Sequence, residues 1–132
     1  GVANWFNIQF KEEQDHAMKI FNYVLSRGGR VELKPIAEVE TEWKSPLKAF
    51  EETLKHERVV TSLINELYHL ATKDYATQSM LKWFIDEQVE EEENARDIID
   101  KLKLIGDNGY GLYQFDKELA ARVYTPIATT AE

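Results

Sequence analysis

Three long segments of the chain place apolar residues every three or four positions, which is the spacing of one face of an α-helix. They cover about residues 3–26, 45–71 and 75–105, and a shorter stripe follows at about 110–122. Each long segment is long enough to bury one face against a neighbour. The pattern predicts an all-α fold in a single domain over residues 1–132.

The ends of these segments carry residues that start and stop helices. Gly28 and Gly29 follow the first segment, and Ser45 and Pro46 stand where a cap and the first helical residue are expected before the second. The link 72–74 is short, which predicts that the second and third helices are antiparallel neighbours. The link 30–44 is long, and we expect it to be a crossover that travels the length of a bundle.

Polar residues interrupt each long apolar stripe near its middle. The first stripe contains Glu13, with His16 beside it one turn later; the second contains Glu57; the third contains Gln88 and Glu91. The full stripes read Phe6, Phe10, Glu13, Ala17, Ile20, Val24; then Leu47, Phe50, Leu54, Glu57, Ile64, Leu67, Ala71; then Met80, Phe84, Gln88, Glu91, Ala95, Ile98, Leu102, Ile105.

A buried carboxylate needs a partner, and these stripes contain no Lys or Arg to supply one. A single Glu on a stripe is usually explained by a helix end or by nearby water. Three stripes interrupted at a similar depth, one of them with Glu-x-x-His, favour a metal centre. Oxygen ligands with one imidazole suit iron or manganese, and they also accept zinc.

Composition and charge narrow the classes of function. With 16 basic and 24 acidic residues the net charge is −8, which argues against nucleic-acid binding. The absence of Cys excludes disulfides, thiolate metal sites and cysteine nucleophiles. No apolar run approaches the ~18 residues of a membrane span. The start of the chain has no export signal, so we expect a cytoplasmic protein.

Five segments carry a resemblance to bacterial and archaeal non-haem ferritins. They are FKEEQDHA (10–17), RGGRV (27–31), FEETLKHE (50–57), WFIDEQVEEE (83–92) and LYQFDKEL (112–119). The resemblance implies a ferritin-like four-helix bundle with a long crossover and a short C-terminal fifth helix. Family members carry a further helix before the position of Gly1, so the resemblance also implies that the first bundle helix is absent from this chain.

The resemblance also implies a site and an activity. Glu13 would bridge two irons, His16 would bind one of them, and Glu57 would hold the other. Gln88 and Glu91 would complete or flank this di-iron ferroxidase centre. A nearby third iron site would correspond to Glu12, Glu87 and Glu90. The family oxidises Fe(II) with O2 or H2O2 and deposits ferric oxyhydroxide in a homo-oligomeric shell, usually of 24 subunits.

The absent helix would supply one terminal Glu ligand and a Tyr close to the site. We therefore expect a truncated, oligomeric ferritin chain, completed by a separate first-helix fragment or by a neighbouring subunit. Weak or absent ferroxidase activity is expected of the chain alone. The alternative function is a truncated or engineered ferritin scaffold, an assembly protein with impaired ferroxidase activity.

Other members of the wider di-iron group fit the sequence less well. A rubrerythrin-type protein needs a cysteine iron centre, and a DNA-binding mini-ferritin would carry a basic tail. Neither Met18 nor Met80 matches the pattern of a haem ligand, so no haem is predicted. The off-stripe residues His56 and His69 are interpreted as surface residues, and Glu92 and Glu93 as the solvated part of the run 90–93; the three Trp residues are interpreted as packing or subunit contacts.

Overall fold

The computed structural model describes residues 1–127, and this part of the chain forms four α-helices. They are α1 (Val2–Ser26), α2 (Pro46–Leu70), α3 (Tyr75–Ile105) and α4 (Gly109–Ala120). Every bound lies within two residues of the range that the apolar spacing predicts. Between residues 1 and 127 no strand is formed.

The chain falls into two compact units. One contains Gly1–Val39 together with the chain from Asn108 onward, and therefore holds α1 and α4. The other is Glu40–Asp107, and holds α2 and α3. The expectation of one domain over the whole chain stays a prediction.

Local sequence explains where the helices begin and end. The hydroxyl oxygen of Ser45 accepts a hydrogen bond from the Lys48 N–H at 3.1 Å, and Pro46 is the first residue of α2, as predicted. Asp74 caps α3 in the same way through the Thr77 N–H. Gly28, with φ of 74°, lies beyond α1 in a conformation that residues with a Cβ rarely adopt.

In the unit 40–107, α2 and α3 pack as antiparallel neighbours, which confirms the prediction from their short link. The direction shows in two places: Glu51 pairs with Lys103, whereas Thr61, ten residues further along α2, contacts Gln88 and Glu92, which lie earlier on α3. Phe50 is fully buried. The buried residues of α3 follow the predicted stripe closely: Leu81, Phe84, Gln88, Glu91, Ala95, Ile98, Ile99, Leu102.

In the unit that holds α1 and α4, the predicted stripe of α1 is wrong by about one position. Phe10 is 61% exposed, whereas Trp5, Ile8, Gln9 and His16 are buried. The reason is that α1 packs against α4 and the segment after it. The Asn4 amide donates to carbonyls at the end of α4 (Leu119, Ala120) and beyond it (Arg122), and Trp5 lies 4.7 Å beneath the guanidinium of Arg122.

The link between α1 and α2 has no regular secondary structure from residue 31 to residue 43. Its apolar residues Leu33, Ile36 and Val39 are exposed. Among the helices within residues 1–127, none is both long and apolar enough to cross a membrane.

Replacing Phe50 with Ala should lower the free energy of unfolding by about 3–5 kcal/mol, because a fully buried ring leaves a cavity. Urea unfolding followed by circular dichroism measures the change. The control is Val59→Ala on the same helix, at a position that is 52% exposed; its effect should stay below about 0.5 kcal/mol. Equal effects of the two variants would contradict the assigned core.

Tyr124 should contribute to stability in a pH-dependent way. Its hydroxyl donates to Asp15 at 2.6 Å, and this bond raises the pKa of Tyr124 because ionisation would remove the donor. The contribution is complete below the tyrosine pKa of the unfolded chain, about 10, and is lost as the pH rises through the raised pKa of the folded state.

Thermal unfolding between pH 7 and pH 11 tests whether the contribution of Tyr124 to stability is lost as the pH rises. The melting temperature of the wild type should exceed that of Tyr124→Phe at neutral pH, and the difference should shrink above about pH 10. Tyr110→Phe is the control, since Tyr110 is exposed. A difference that stays constant over the whole range would contradict the assignment.

Candidate metal centre

Two polar side chains meet between α2 and α3 in the middle of an otherwise apolar contact. Glu57 is 5% exposed and Gln88 is 4% exposed. The amide nitrogen Nε2 of Gln88 donates to the Glu57 main-chain oxygen and to the Glu57 carboxylate oxygen Oε2, both at 3.2 Å. These two predicted site residues are therefore brought together by the structure.

Glu91 follows Gln88 by three residues on α3 and lies on the same buried face, with 6% exposure. Glu57, Gln88 and Glu91 are thus the three predicted site residues that are buried in the unit 40–107, and the first two are in contact. The two predicted third-site residues of α3 lie further out: Glu87 is partly buried and Glu90 is exposed. Only Glu91 of the acidic run 90–93 reaches the buried face.

The hydrogen bonds that link Gln88 to Thr61 and Glu92 were not predicted from the sequence. The same Nε2 lies 3.3 Å from the hydroxyl oxygen of Thr61, and that hydroxyl donates to the Glu92 carboxylate at 2.8 Å. Glu92 also lies 3.8 Å from Arg58 and 3.4 Å from Arg96. The interpretation of Glu92 as a solvated residue is therefore wrong, because its side chain is only 19% exposed and is held between α2 and α3.

In the other unit, α1 brings Glu13 and His16 together. The Nδ1 atom of His16 lies 3.5 Å from the Glu13 carboxylate, one helical turn away, and His16 is buried whereas Glu13 is about half exposed. Gln9, one turn earlier, donates to the other oxygen of Glu13 at 3.1 Å. The Glu-x-x-His spacing thus produces one polar cluster on one side of the helix.

Gln9 and Arg122 are the residues of this cluster that sequence analysis missed. The Arg122 guanidinium donates to the Gln9 side-chain oxygen at 3.1 Å and forms an ion pair with Glu12, a predicted third-site residue. Arg122 lies more than a hundred positions away in sequence, so no local pattern links it to α1. Gln9 could have been found from its four-residue spacing to Glu13.

The donor atoms in each unit suit iron. Carboxylate oxygens, an amide and an imidazole are ligands that Fe(II), Fe(III) and Mn(II) accept, and Zn(II) accepts them as well. Carboxylates are hard anions and stabilise Fe(III) more than Fe(II), which favours oxidation at such a site. The interpretation of His56 and His69 as surface residues agrees with their exposed side chains.

The chain is similar in sequence to known ferritins. A family defined by a ferritin-like domain matches residues 1–105. The bacterial non-heme ferritin of Staphylococcus haemolyticus is 46% identical over 126 residues, which are 94% of this chain and 76% of that protein. The bacterial non-heme ferritin of Staphylococcus aureus is 42% identical over the same shares of the two chains.

Solved structures agree with the sequence relatives. A humanized archaeal ferritin superposes with a TM-score of 0.91 at 49% identity, over 93% of this chain and 76% of that chain. An open pore ferritin from the hyperthermophilic archaeon Archaeoglobus fulgidus gives a TM-score of 0.90 at 49% identity, over 91% and 75%. The predicted all-α, ferritin-like helical bundle is confirmed. On both sequence and structure, the chain belongs to the ferritin family.

Proposed function

We propose that this ferritin-family chain stores iron by oxidising Fe(II) at a di-iron ferroxidase centre and depositing it as ferric oxyhydroxide. The observation that carries the proposal is the burial of Glu57, Gln88 and Glu91, together with the contact between Glu57 and Gln88 in the middle of an apolar helix pair. The proposed ligands are the five residues predicted from the sequence: Glu13, His16, Glu57, Gln88, Glu91.

Each ligand has a proposed role. Glu13 bridges the two irons, and His16 binds one of them through its imidazole. Glu57 holds the second iron, and Gln88 and Glu91 complete or flank the centre. The contact between Glu13 and His16 supports their joint role, as does the contact between Glu57 and Gln88.

Iron is the substrate of the proposed reaction. Each Fe(II) gives up one electron, and a bound pair supplies the two electrons that reduce O2 to H2O2, or H2O2 to water. Carboxylate ligands can change between terminal and bridging binding, so the oxidised product is able to leave the centre. Gln88 is neutral and binds more weakly than a carboxylate, which we propose keeps the second iron position exchangeable.

The proposed third iron site, Glu12, Glu87 and Glu90, differs from the first two. Its members are partly or fully exposed, and Glu12 is already paired with the Arg122 guanidinium. An iron ion at this position would compete with Arg122 for the charge of the Glu12 carboxylate. We propose that the third site binds iron more weakly and fills after the di-iron centre.

The setting of the reaction follows the family. We propose a homo-oligomer, with a 24-subunit shell as the assembly that encloses the mineral. The proposed location is the cytoplasm, and the proposed oxidants are O2 and H2O2. Zinc and manganese are proposed as ions that occupy the same ligands when iron is scarce, since their ligand preferences overlap with those of iron.

Replacing Glu91 with Gln should lower the initial rate of Fe(II) oxidation by about tenfold or more, because the centre loses a carboxylate charge. Oxygen uptake and absorbance of the ferric product measure the rate. Glu93→Gln, an exposed position on the same helix, is the control and should keep the wild-type rate. A wild-type protein that binds no Fe(II) under anaerobic conditions would refute the proposed function.

Replacing Gln88 with Glu should slow iron turnover over many cycles while the first oxidation proceeds. A carboxylate at this position would face the Glu57 carboxylate, where the amide nitrogen now lies 3.2 Å away. The added charge should hold Fe(III) more tightly and delay its release. Gln78→Glu makes the same change in the first turn of α3, remote from the centre, and should leave turnover unaltered. Unchanged multi-turnover kinetics in Gln88→Glu would contradict the role of the amide.

A further inference from the structure

The two ends of the Gln88 amide differ in what they can bind. Oε1 has lone pairs and is able to bind a cation, whereas Nε2 carries two hydrogens and is not. An amide in a helix contact can turn about its last bond, and either end would fit sterically. The neighbours of Gln88 therefore decide whether it is an iron ligand at all.

The groups of α2 that lie within hydrogen-bond distance of the Gln88 amide nitrogen can all accept a hydrogen bond. Nε2 lies 3.2 Å from the main-chain oxygen of Glu57, 3.2 Å from its carboxylate and 3.3 Å from the Thr61 hydroxyl oxygen. The first two groups accept hydrogen bonds only. Thr61 is the exception, because a hydroxyl can either donate or accept.

The single proton of the Thr61 hydroxyl has two acceptors within reach. They are the Glu92 carboxylate at 2.8 Å and the main-chain oxygen of Glu57 at 3.0 Å. The carboxylate is the closer of the two, and a hydrogen bond to a charged acceptor is the stronger. Directed at Glu92, the proton leaves a lone pair of Thr61 facing Gln88, which must then present its N–H.

Glu92 is itself held in place. Its side chain is mostly buried, and its second oxygen lies near Arg58 of α2 and Arg96 of α3. Ion pairs at such distances contribute little free energy, but they define where the carboxylate points. The result is a directional chain of hydrogen bonds, from Gln88 to Thr61 to Glu92, inside the unit 40–107.

We infer that Thr61 and Glu92 are positioning residues that orient the Gln88 amide so that Oε1 is offered to iron. The inference rests on the proposed iron centre and adds two residues that do not touch the metal. Among the described residues, Gln88 makes its side-chain hydrogen bonds through Nε2, and none is made by Oε1. The carbonyl oxygen is therefore left for a cation.

The test is anaerobic Fe(II) titration of the purified protein by calorimetry, with Co(II) absorption as a second readout of the ligand set. Thr61→Val removes the hydroxyl at nearly constant volume. It should weaken binding of one of the two Fe(II) ions by about tenfold, the size typical of lost outer-shell hydrogen bonds. It should also shift the Co(II) bands. Thr61→Ser keeps the hydroxyl and should restore both properties.

Matched controls separate positioning from general damage to the helices. Thr53 also donates to the carbonyl four residues earlier on α2, at 3.0 Å, so Thr53→Val removes the same intrahelical bond without the link to Glu92. The Fe(II) affinity of Thr53→Val should stay within about twofold of the wild type, because within residues 1–127 Thr53 makes no hydrogen bond to a group near the proposed iron ligands. Glu92→Gln should weaken the binding of the same Fe(II) ion as Thr61→Val does, whereas Glu93→Gln should leave the binding of both ions unchanged.

The outcomes distinguish the inference from the proposed function. If wild type and Thr61→Val bind two Fe(II) ions with equal affinity and equal Co(II) spectra, the positioning role is refuted and the iron centre stands. Equal losses in Thr61→Val and Thr53→Val would also refute it, because the loss would then come from the helix. If the wild type binds no pair of ions, the proposed function and the inference both fail.

Discussion

Glu57 and Gln88 share hydrogen bonds only because α2 and α3 run antiparallel in one register, and the polar centre of this unit depends on that register. Each group is almost fully buried, so each has lost the water that would otherwise hydrate it. A slip of one turn would carry Gln88 away from Glu57 and leave a buried carboxylate facing apolar side chains. Such a state is costly, so the hydrogen bonds select the register as much as they result from it.

Other features of the unit 40–107 agree with this register. The link between the helices is only a few residues long, and Asp74 caps α3 at once, which limits how far one helix can slide. Phe50 fills the core on α2, and the small side chain of Ala95 lies fully buried on α3. Ion pairs such as Glu51 with Lys103 lie at the surface, where they add little to stability. Packing and the buried polar group therefore carry most of the specificity.

Sequence periodicity predicted the parts of the structure that depend on local order. Glu57, Gln88 and Glu91 could be placed on buried faces because α2 and α3 bury the middle of the stripes that their own residues define. The face of α1 was displaced because its partners, α4 and Arg122, lie far along the chain. Glu92 was misread for a related reason. Within a run of glutamates, the positions of Thr61 and Arg58 on the neighbouring helix help to decide which carboxylate is held.

In each unit a chain of hydrogen bonds that reaches a proposed ligand ends on arginine. Arg122 donates to the oxygen of Gln9, so the Gln9 nitrogen must turn toward Glu13. Arg58 and Arg96 hold Glu92, which directs Thr61 and through it Gln88. A guanidinium in direct contact with an iron ligand would compete with the metal for its charge. Arg122 lies one neutral side chain from Glu13, and Arg58 and Arg96 lie two side chains from Gln88, so these cations fix the direction of the hydrogen bonds while the ligand oxygens keep their capacity for iron.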